Sequence, residues 1–201
     1  MLKYEEELYA KYPIIAGTDE AGRGPLAGPL VVAAVILKPD FNSLLINDSK
    51  KLSEKKRIEA YKLIIENAIE YTIKIIPIEI IDEINIYQAS KSGMISCFNS
   101  FKTKIDLYIT DAMPITDLKS EVISLIHGDS LSKNIAAASI LAKVTRDNLM
   151  YELDKAYPQY DFAHNKGYGT KKHLEAIKQF GFIKGVHRLS YEPIKSLNKI
   201  N

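Results

Sequence analysis

Cysteine is nearly absent from this chain: Cys97 stands alone among 201 residues, so no internal disulfide can form and a reducing compartment is expected. Its neighbours Ile95, Phe98 and Phe101 point to a buried helix position and a structural thiol. No stretch is long and apolar enough to span a bilayer, and the opening MLKYEEELYAKYP carries acids without an apolar signal core. A cytoplasmic protein with no membrane partner is the expectation. His127, His164, His173 and His187 lack zinc spacing with a cysteine or a second close histidine. There is no Gly-x-Ser-x-Gly elbow, and the glycines around Pro25 match neither a Walker loop nor a dinucleotide G-x-G-x-x-G. What remains is ordinary soluble composition, 46% hydrophobic and 26% charged, in a length that fits one domain with a full core.

Net charge is also scarce, at +2, but it is unevenly placed. From His164 to Asn201 eight Lys or Arg face two Glu, giving +6; the first 163 residues carry 19 basic against 23 acidic side chains, or −4. A basic tail on a mildly acidic body suits a polyanionic partner and equally suits a soluble surface. Residues 1–163 therefore read as one domain, and 164–201 as a basic, mainly helical segment packed on it. A second basic cluster, Lys50, Lys51, Lys55, Lys56 and Arg57, fits an exposed helix face.

Periodicity gives an α/β order. Ile14 to Ala16 is a short apolar strand that ends near Asp19, and Leu30 to Leu37 is a continuous β-branched run long enough to cross a sheet. Ser53 caps a helix to about Ala68, with Ile58, Tyr61, Leu63, Ile64 and Ile65 facing inward. Tyr71 to Ile78 alternates as a third strand that Pro77 stops. Asn85 and Gln88 form a capping box for a helix to about Lys102. Ile105 to Thr110 and Glu121 to His127 are the fourth and fifth strands. A long helix then runs from Ser130 to Pro158, its Ala136, Ala137, Ala138 and Ser139 allowing close approach to a sheet, and another spans Lys171 to Phe180. Three early strands followed by alternating helix and strand describe a mixed sheet flanked by helices.

Carboxylates recur at the exits of the apolar strands: Asp19 with Glu20, then Asp111, then Asp129. If those strands are neighbours, four acids meet at one edge, where mutual repulsion implies bound Mg2+ or Mn2+ and two-ion phosphodiester cleavage by water. Taken singly, Asp111 also fits a turn before Pro114 and Asp129 a helix cap. Gly22-Arg23-Gly24 follows the first pair: glycine backbone can approach a phosphate and the guanidinium adds an anion contact, although a Gly-rich turn with solvated charges has the same pattern.

GTDEAGRGPLAGP, DSKKLS, INIYQAS, TDAMPI, HGDSLSKNIAAASILAKVTRD, NKGYGTKKH and GVHRLSYEP resemble, in order and over nearly the whole chain, the serial motifs of bacterial ribonuclease HII. The resemblance implies a ribonuclease H-like fold and an endonuclease that cuts RNA in RNA/DNA hybrids. It also implies incision 5′ of single ribonucleotides in duplex DNA, in ribonucleotide removal, leaving a 3′-hydroxyl and a 5′-phosphate. It assigns metal binding and catalysis to Asp19, Glu20, Asp111 and Asp129. Gly22, Arg23, Gly24 and Tyr168 are assigned to the ribonucleotide, and Lys50 and Lys51 to phosphate or active-site contacts. Asp147 is open between an auxiliary acid and a helix ion pair with Lys143, and His164 and His187 between proton transfer and structure. The last residues, SLNKIN, show no aromatic sliding-clamp motif, and a monomer is expected. Competing readings are another nuclease on the same fold and a non-catalytic nucleic-acid binding module.

Overall fold

The computed structural model describes residues 2–47, 52–116 and 118–199. Helix α1 (Leu2–Lys11) leads into β1 (Ile15–Ala21) and β2 (Leu30–Leu37); after α2 (Leu44–Asn47) and α3 (Glu54–Asn67) come β3 (Ala68–Ile76) and α4 (Ile78–Asn99). Next are β4 (Leu107–Asp111), β5 (Glu121–Leu125), α5 (Gly128–Leu131) and α6 (Lys133–Ala156). A 3-10 turn at Pro158–Tyr160, α7 (Phe162–Asn165), α8 (Lys171–Phe180) and α9 (Ile194–Asn198) complete the chain.

The five strands form one sheet in the order β3-β2-β1-β4-β5, with β1–β2 and β2–β3 antiparallel and β1–β4 and β4–β5 parallel. This is the expected mixed α/β architecture. Strand alternation divides β2 between two cores. Leu30, Val32, Ala34 and Ile36 pack with Ala89, Met94, Cys97 and Phe98 of α4. Val31, Ala33, Val35 and Leu37 pack with α3 and with Ala136 to Ala138 of α6. The alanines do what their size suggests. A Cβ at Gly17 would lie 2.6 Å from the backbone of Asn134 and Ile135, so α6 rests directly on the central strand. Asn134 strengthens that contact by accepting the Leu37 N–H at 2.8 Å. Cys97 is buried and free, as expected.

Several boundaries differ from the sequence reading. β1 does not end near Asp19 but runs through Asp19 and Glu20 to Ala21, because pairing with Ala33, Val32 and Val31 of β2 continues that far. β3 starts at Ala68, its backbone drawn into pairing with Leu37. β4 starts at Leu107 and β5 stops at Leu125. Ile58 is 40% exposed rather than inward; Ala60 and Ile64 are the buried positions of α3, whose cap is Ser53 as expected. Asn85 does cap a helix, accepting the N–H groups of Tyr87 and Gln88, but a further helical stretch precedes it. The two join at a left-handed Asn85 (φ 68°). The long helix begins at Lys133, where Ser132 accepts the Ile135 N–H, and α5 is a separate turn before it.

Residues of the basic C-terminal segment share a core with the body of the protein. Ala176, Ile177, Val186 and Ile194 pack with Leu26, Ala27, Met150, Tyr160 and Phe162. Thr170 caps α8 by accepting the His173 N–H, and Gly181 (φ 80°) ends it. Among the described residues no helix is long and apolar enough to cross a membrane.

Candidate active site

The acids gather where β1 and β4 end side by side. β1 alternation turns Asp19 toward α6 and Glu20 toward α4, since Asp19 sits opposite Ala33 and Glu20 opposite Val32, residues of the two different cores. Parallel pairing of Thr18 with Thr110 puts Asp111 on Asp19's face of the sheet. Asp129 enters from the first turn of α5. Asp111 Oδ1 accepts the Gly128 N–H at 2.8 Å, tying the β4 end to that turn. All four carboxylates line one cleft of about 450 Å³.

Electrostatics within the cleft are those of crowded, poorly hydrated acids. Burial, then the neighbouring charges of Glu20 and Asp111, hold the Asp19 carboxyl well above the ordinary range, against opposing help from the Ser139 hydroxyl and the Glu20 N–H. Glu20 is raised by burial and by Asp111, and is relieved chiefly by Arg23, whose Nη1 lies 3.3 Å from Glu20 Oε1. Glu20 Oε2 and the nearby Ser90 hydroxyl are both buried, and neither completes a hydrogen bond. Among the described residues no three acid, histidine or cysteine side chains already form a closed cage for a cation. The donor chemistry nevertheless fits a hard divalent ion: oxygen only, strained in charge, with a buried carboxylate oxygen free to ligate.

Gly22, Arg23, Gly24 and Tyr168 line the same cleft. Arg23 is exposed and Tyr168 is 48% exposed, while a Cβ on Gly24 would lie 3.4 Å from the Tyr168 ring. Two main-chain bonds, Leu26 N to Gly167 O at 2.8 Å and Ala27 N to Gly167 O at 3.3 Å, hold the two loops together. Lys50 and Lys51 lie outside the described residues. Asp147 does not line the cleft; it pairs with Lys143 at 2.7 Å. His164 is exposed and bonds Asp161, and His187 is fully buried, so neither reaches the acids.

Other residues of the site were passed over as functional groups in the sequence. Arg57, Ser139, Lys143 and Arg146 line the cleft. Ser139, Lys143 and Arg146 fall at i, i+4 and i+7 on α6, a polar stripe that continues from its alanine-rich face and is legible once the helix is known. Arg146 and Arg188 are fully buried, and among the described residues no carboxylate is in hydrogen-bond contact with either. Arg188 donates to the carbonyls of Gly22, Arg23 and Gly28; Arg146 donates to those of Ala27, Pro29 and Lys166. These two forks fix the shape of the Gly-Arg-Gly loop. Gly22 must be glycine there: its φ is +102°, and a Cβ would lie 2.1 Å from Arg146 Nε.

Residues 16–194 match the family model described as Ribonuclease HII. A ribonuclease HII of Lactobacillus johnsonii is 47% identical over 98% of this chain and 78% of its own length. One of Listeria monocytogenes is 50% identical over 97% of this chain and 74% of its own. Among solved structures, the ribonuclease H2 of Pyrococcus horikoshii superposes with a TM-score of 0.80 at 24% identity, covering 93% of this chain and 98% of that one. Bst-RNase HIII in complex with Mn2+ gives 0.70 at 17% identity, covering 93% and 70%. Both share the fold. With a family match across nearly all of its length and relatives at half identity, this chain belongs to the ribonuclease HII family and is a ribonuclease H endonuclease.

Proposed function

We propose that this endonuclease cuts the RNA strand of RNA/DNA hybrids and incises duplex DNA on the 5′ side of a single embedded ribonucleotide, leaving a 3′-hydroxyl and a 5′-phosphate. The observation that carries the reading is the shared cleft. Four acidic residues line it together with a glycine-flanked arginine, which lies 3.3 Å from Glu20, and a half-exposed tyrosine.

Asp19, Glu20, Asp111 and Asp129 are the residues that would hold Mg2+ or Mn2+. When bound, such ions supply activation of the attacking water and neutralisation of the leaving 3′-oxygen. The carboxylates bind in their charged forms, so the raised affinity of Asp19 and Glu20 for protons sets protons in competition with a cation, and cation binding weakens as pH falls. Gly22 and Gly24 let backbone come close to the phosphate and Arg23 adds a charged donor beside it. The Tyr168 ring offers a stacking face for the sugar at the RNA-to-DNA junction, and its hydroxyl a partner for the 2′-oxygen. Arg57 and Lys143 at the cleft wall, with Lys50 and Lys51, serve the phosphate backbone. Residues 1–163 act as the catalytic domain and 164–201 as the segment that brings Tyr168 to it.

The test is a duplex carrying one ribonucleotide, incubated with Mg2+ and then with excess chelator, with the cut position read on a sequencing gel. Cleavage immediately 5′ of the ribonucleotide that stops on chelation is expected. Cutting of the same duplex made wholly of DNA, or cutting that survives chelation, would refute the assignment.

A further inference from the structure

Two histidines far from the acids meet beneath the Tyr168 loop. His173 on α8 and His187 after it are each fully buried, and their Nε2 atoms are 3.1 Å apart. Two imidazoles can share that bond only if one Nε2 carries a hydrogen and the other does not. The outer nitrogens decide which. His187 Nδ1 accepts the Ile183 N–H at 3.0 Å, so its hydrogen must sit on Nε2. His187 then donates to His173 Nε2, which leaves the His173 hydrogen on Nδ1, facing the Tyr168 carbonyl at 2.9 Å.

We infer that His173 and His187 form a one-directional hydrogen-bond relay, from Ile183 N–H to the Tyr168 carbonyl, that positions Tyr168 for recognition of the ribonucleotide. The inference rests on the proposed recognition role of Tyr168. The surroundings enforce two neutral rings. Tyr160 and Phe162 flank both imidazoles with centroids 5.2 to 6.2 Å away, and Ala176, Ile177 and Val186 close the same core. The nearby Tyr160 hydroxyl is turned to Gly181 O, the Arg188 guanidinium is turned to Gly22, Arg23 and Gly28 carbonyls, and no carboxylate bonds or ion-pairs with either ring among the described residues. Burial accordingly lowers the proton affinity of both histidines. The Tyr168 carbonyl also accepts the Thr170 N–H at 2.8 Å, so His173 supplies its second donor and ties the loop to the α8 helix it leads into. His187 immediately precedes Arg188. The same short segment thus reaches both recognition loops, Gly22 to Gly24 through the arginine fork and Tyr168 through the imidazoles. Both histidines are positioning residues, since neither lines the cleft.

Two substitutions of similar size separate this role from simple core filling. His173→Asn keeps a donor where Nδ1 stands; His173→Gln keeps a group where Nε2 stands and loses the bond to Tyr168. The readout is the ratio of cutting at a lone ribonucleotide to cutting of a long RNA/DNA hybrid. His173→Asn should preserve the ratio, and His173→Gln should lower it about three- to tenfold, the worth of one neutral hydrogen bond. Equal ratios for the two variants would overturn the positioning of Tyr168 by the His173 donor, the final link of the relay. Tyr168→Ala, run alongside, identifies the other failure: an unchanged ratio there removes the recognition role itself, and the relay's purpose with it. Nitrogen-15 chemical shifts of the wild-type imidazoles test the relay without substitution, should either variant fail to fold. The expected tautomers are Nδ1–H for His173 and Nε2–H for His187; the reverse pair, or a charged ring at neutral pH, refutes it.

Discussion

Replacing Arg188 with lysine keeps the positive charge and removes the fork, and the structure gives the consequence a size. Arg188 Nε and Nη2 reach Gly28 O at 3.1 and 2.8 Å, Nη2 also reaches Gly22 O at 2.6 Å, and Nη1 reaches Arg23 O at 3.0 Å and the Tyr191 hydroxyl at 3.2 Å. A lysine ammonium is a point donor and cannot span carbonyls on both arms of a loop. Arg23 O retains the Tyr191 hydroxyl at 2.7 Å, so Gly22 O and Gly28 O are the acceptors at risk. At about 1–3 kcal/mol for each buried acceptor left bare, and with one partly served by the ammonium, Arg188→Lys should cost about 2–4 kcal/mol. In a chain of this length that lowers the melting temperature by very roughly 4–16 °C. Urea unfolding measures the first quantity and calorimetry the second. Cutting at a lone ribonucleotide should fall by more than cutting of a long hybrid, because the loop that loosens is Gly22 to Gly24. A variant with unchanged unfolding midpoint and unchanged substrate preference would show that the fork does not hold the loop, and the argument from buried carbonyls would fail.

Asp111→Asn should leave hybrid binding and the melting curve nearly intact while abolishing cleavage, measured by gel-shift and product assays side by side; residual cleavage above a thousandth of wild type would count against the acid site. Gly22→Ala should destabilise the protein by at least about 1–3 kcal/mol, since it combines a left-handed φ with a 2.1 Å contact to the clamped Arg146. Gly24→Ala meets only the edge of the Tyr168 ring at 3.4 Å and should fold normally, so a comparable loss of stability there would contradict the packing. His187 is pushed down to about 4 by burial and by His173, below its ordinary value of 6.5. A base with a depressed folded pKa contributes stability that is full above the unfolded value and is lost as pH falls from there toward the folded one. The difference in unfolding free energy between wild type and His187→Asn should therefore shrink by up to about 3 kcal/mol from neutrality to about pH 4, at 1.36 kcal/mol per pKa unit; a pH-independent difference would refute the buried neutral imidazole.

The acids were legible because each follows an apolar run, and a strand's carboxyl end is where a side chain leaves the core for a crevice. Their geometry was less so. Ile14 to Ala16 and the glycines after Glu20 read as a strand ending near Asp19, but β2 keeps pairing through Ala21, and pairing partners 10 or more residues away have no local signature. The consequence is chemical: Asp19 and Glu20 face opposite sides of the sheet, each near a different serine, Ser139 and Ser90. Arg146 and Arg188 were not legible for the same reason carried further. All but one of their carbonyl partners lie 117 or more residues away, and a buried cation satisfied by main chain has no complementary acid to betray it. By contrast α8, with its Thr170 cap and Gly181 stop, follows from local signals alone and begins and ends where they predict.

The site thus has two supports that differ in kind. The carboxylates are carried by β1, β4 and α5, elements whose positions are set by the sheet and by α6 pressed on Gly17. The Gly22 to Gly24 loop and Tyr168 are carried by side-chain forks and imidazoles from residues 146 to 188, which touch none of the strand hydrogen bonds that hold the acids. Damage to the second support should therefore change which phosphodiester is chosen before it changes whether one can be cut. The two meet at Gly22, where the strand has just ended and both buried arginines converge: Arg188 takes its carbonyl and Arg146 fills the space a side chain would need. A glycine at that position is required by packing alone, and the loop's ability to approach a phosphate follows from a constraint that the fold imposes for its own stability.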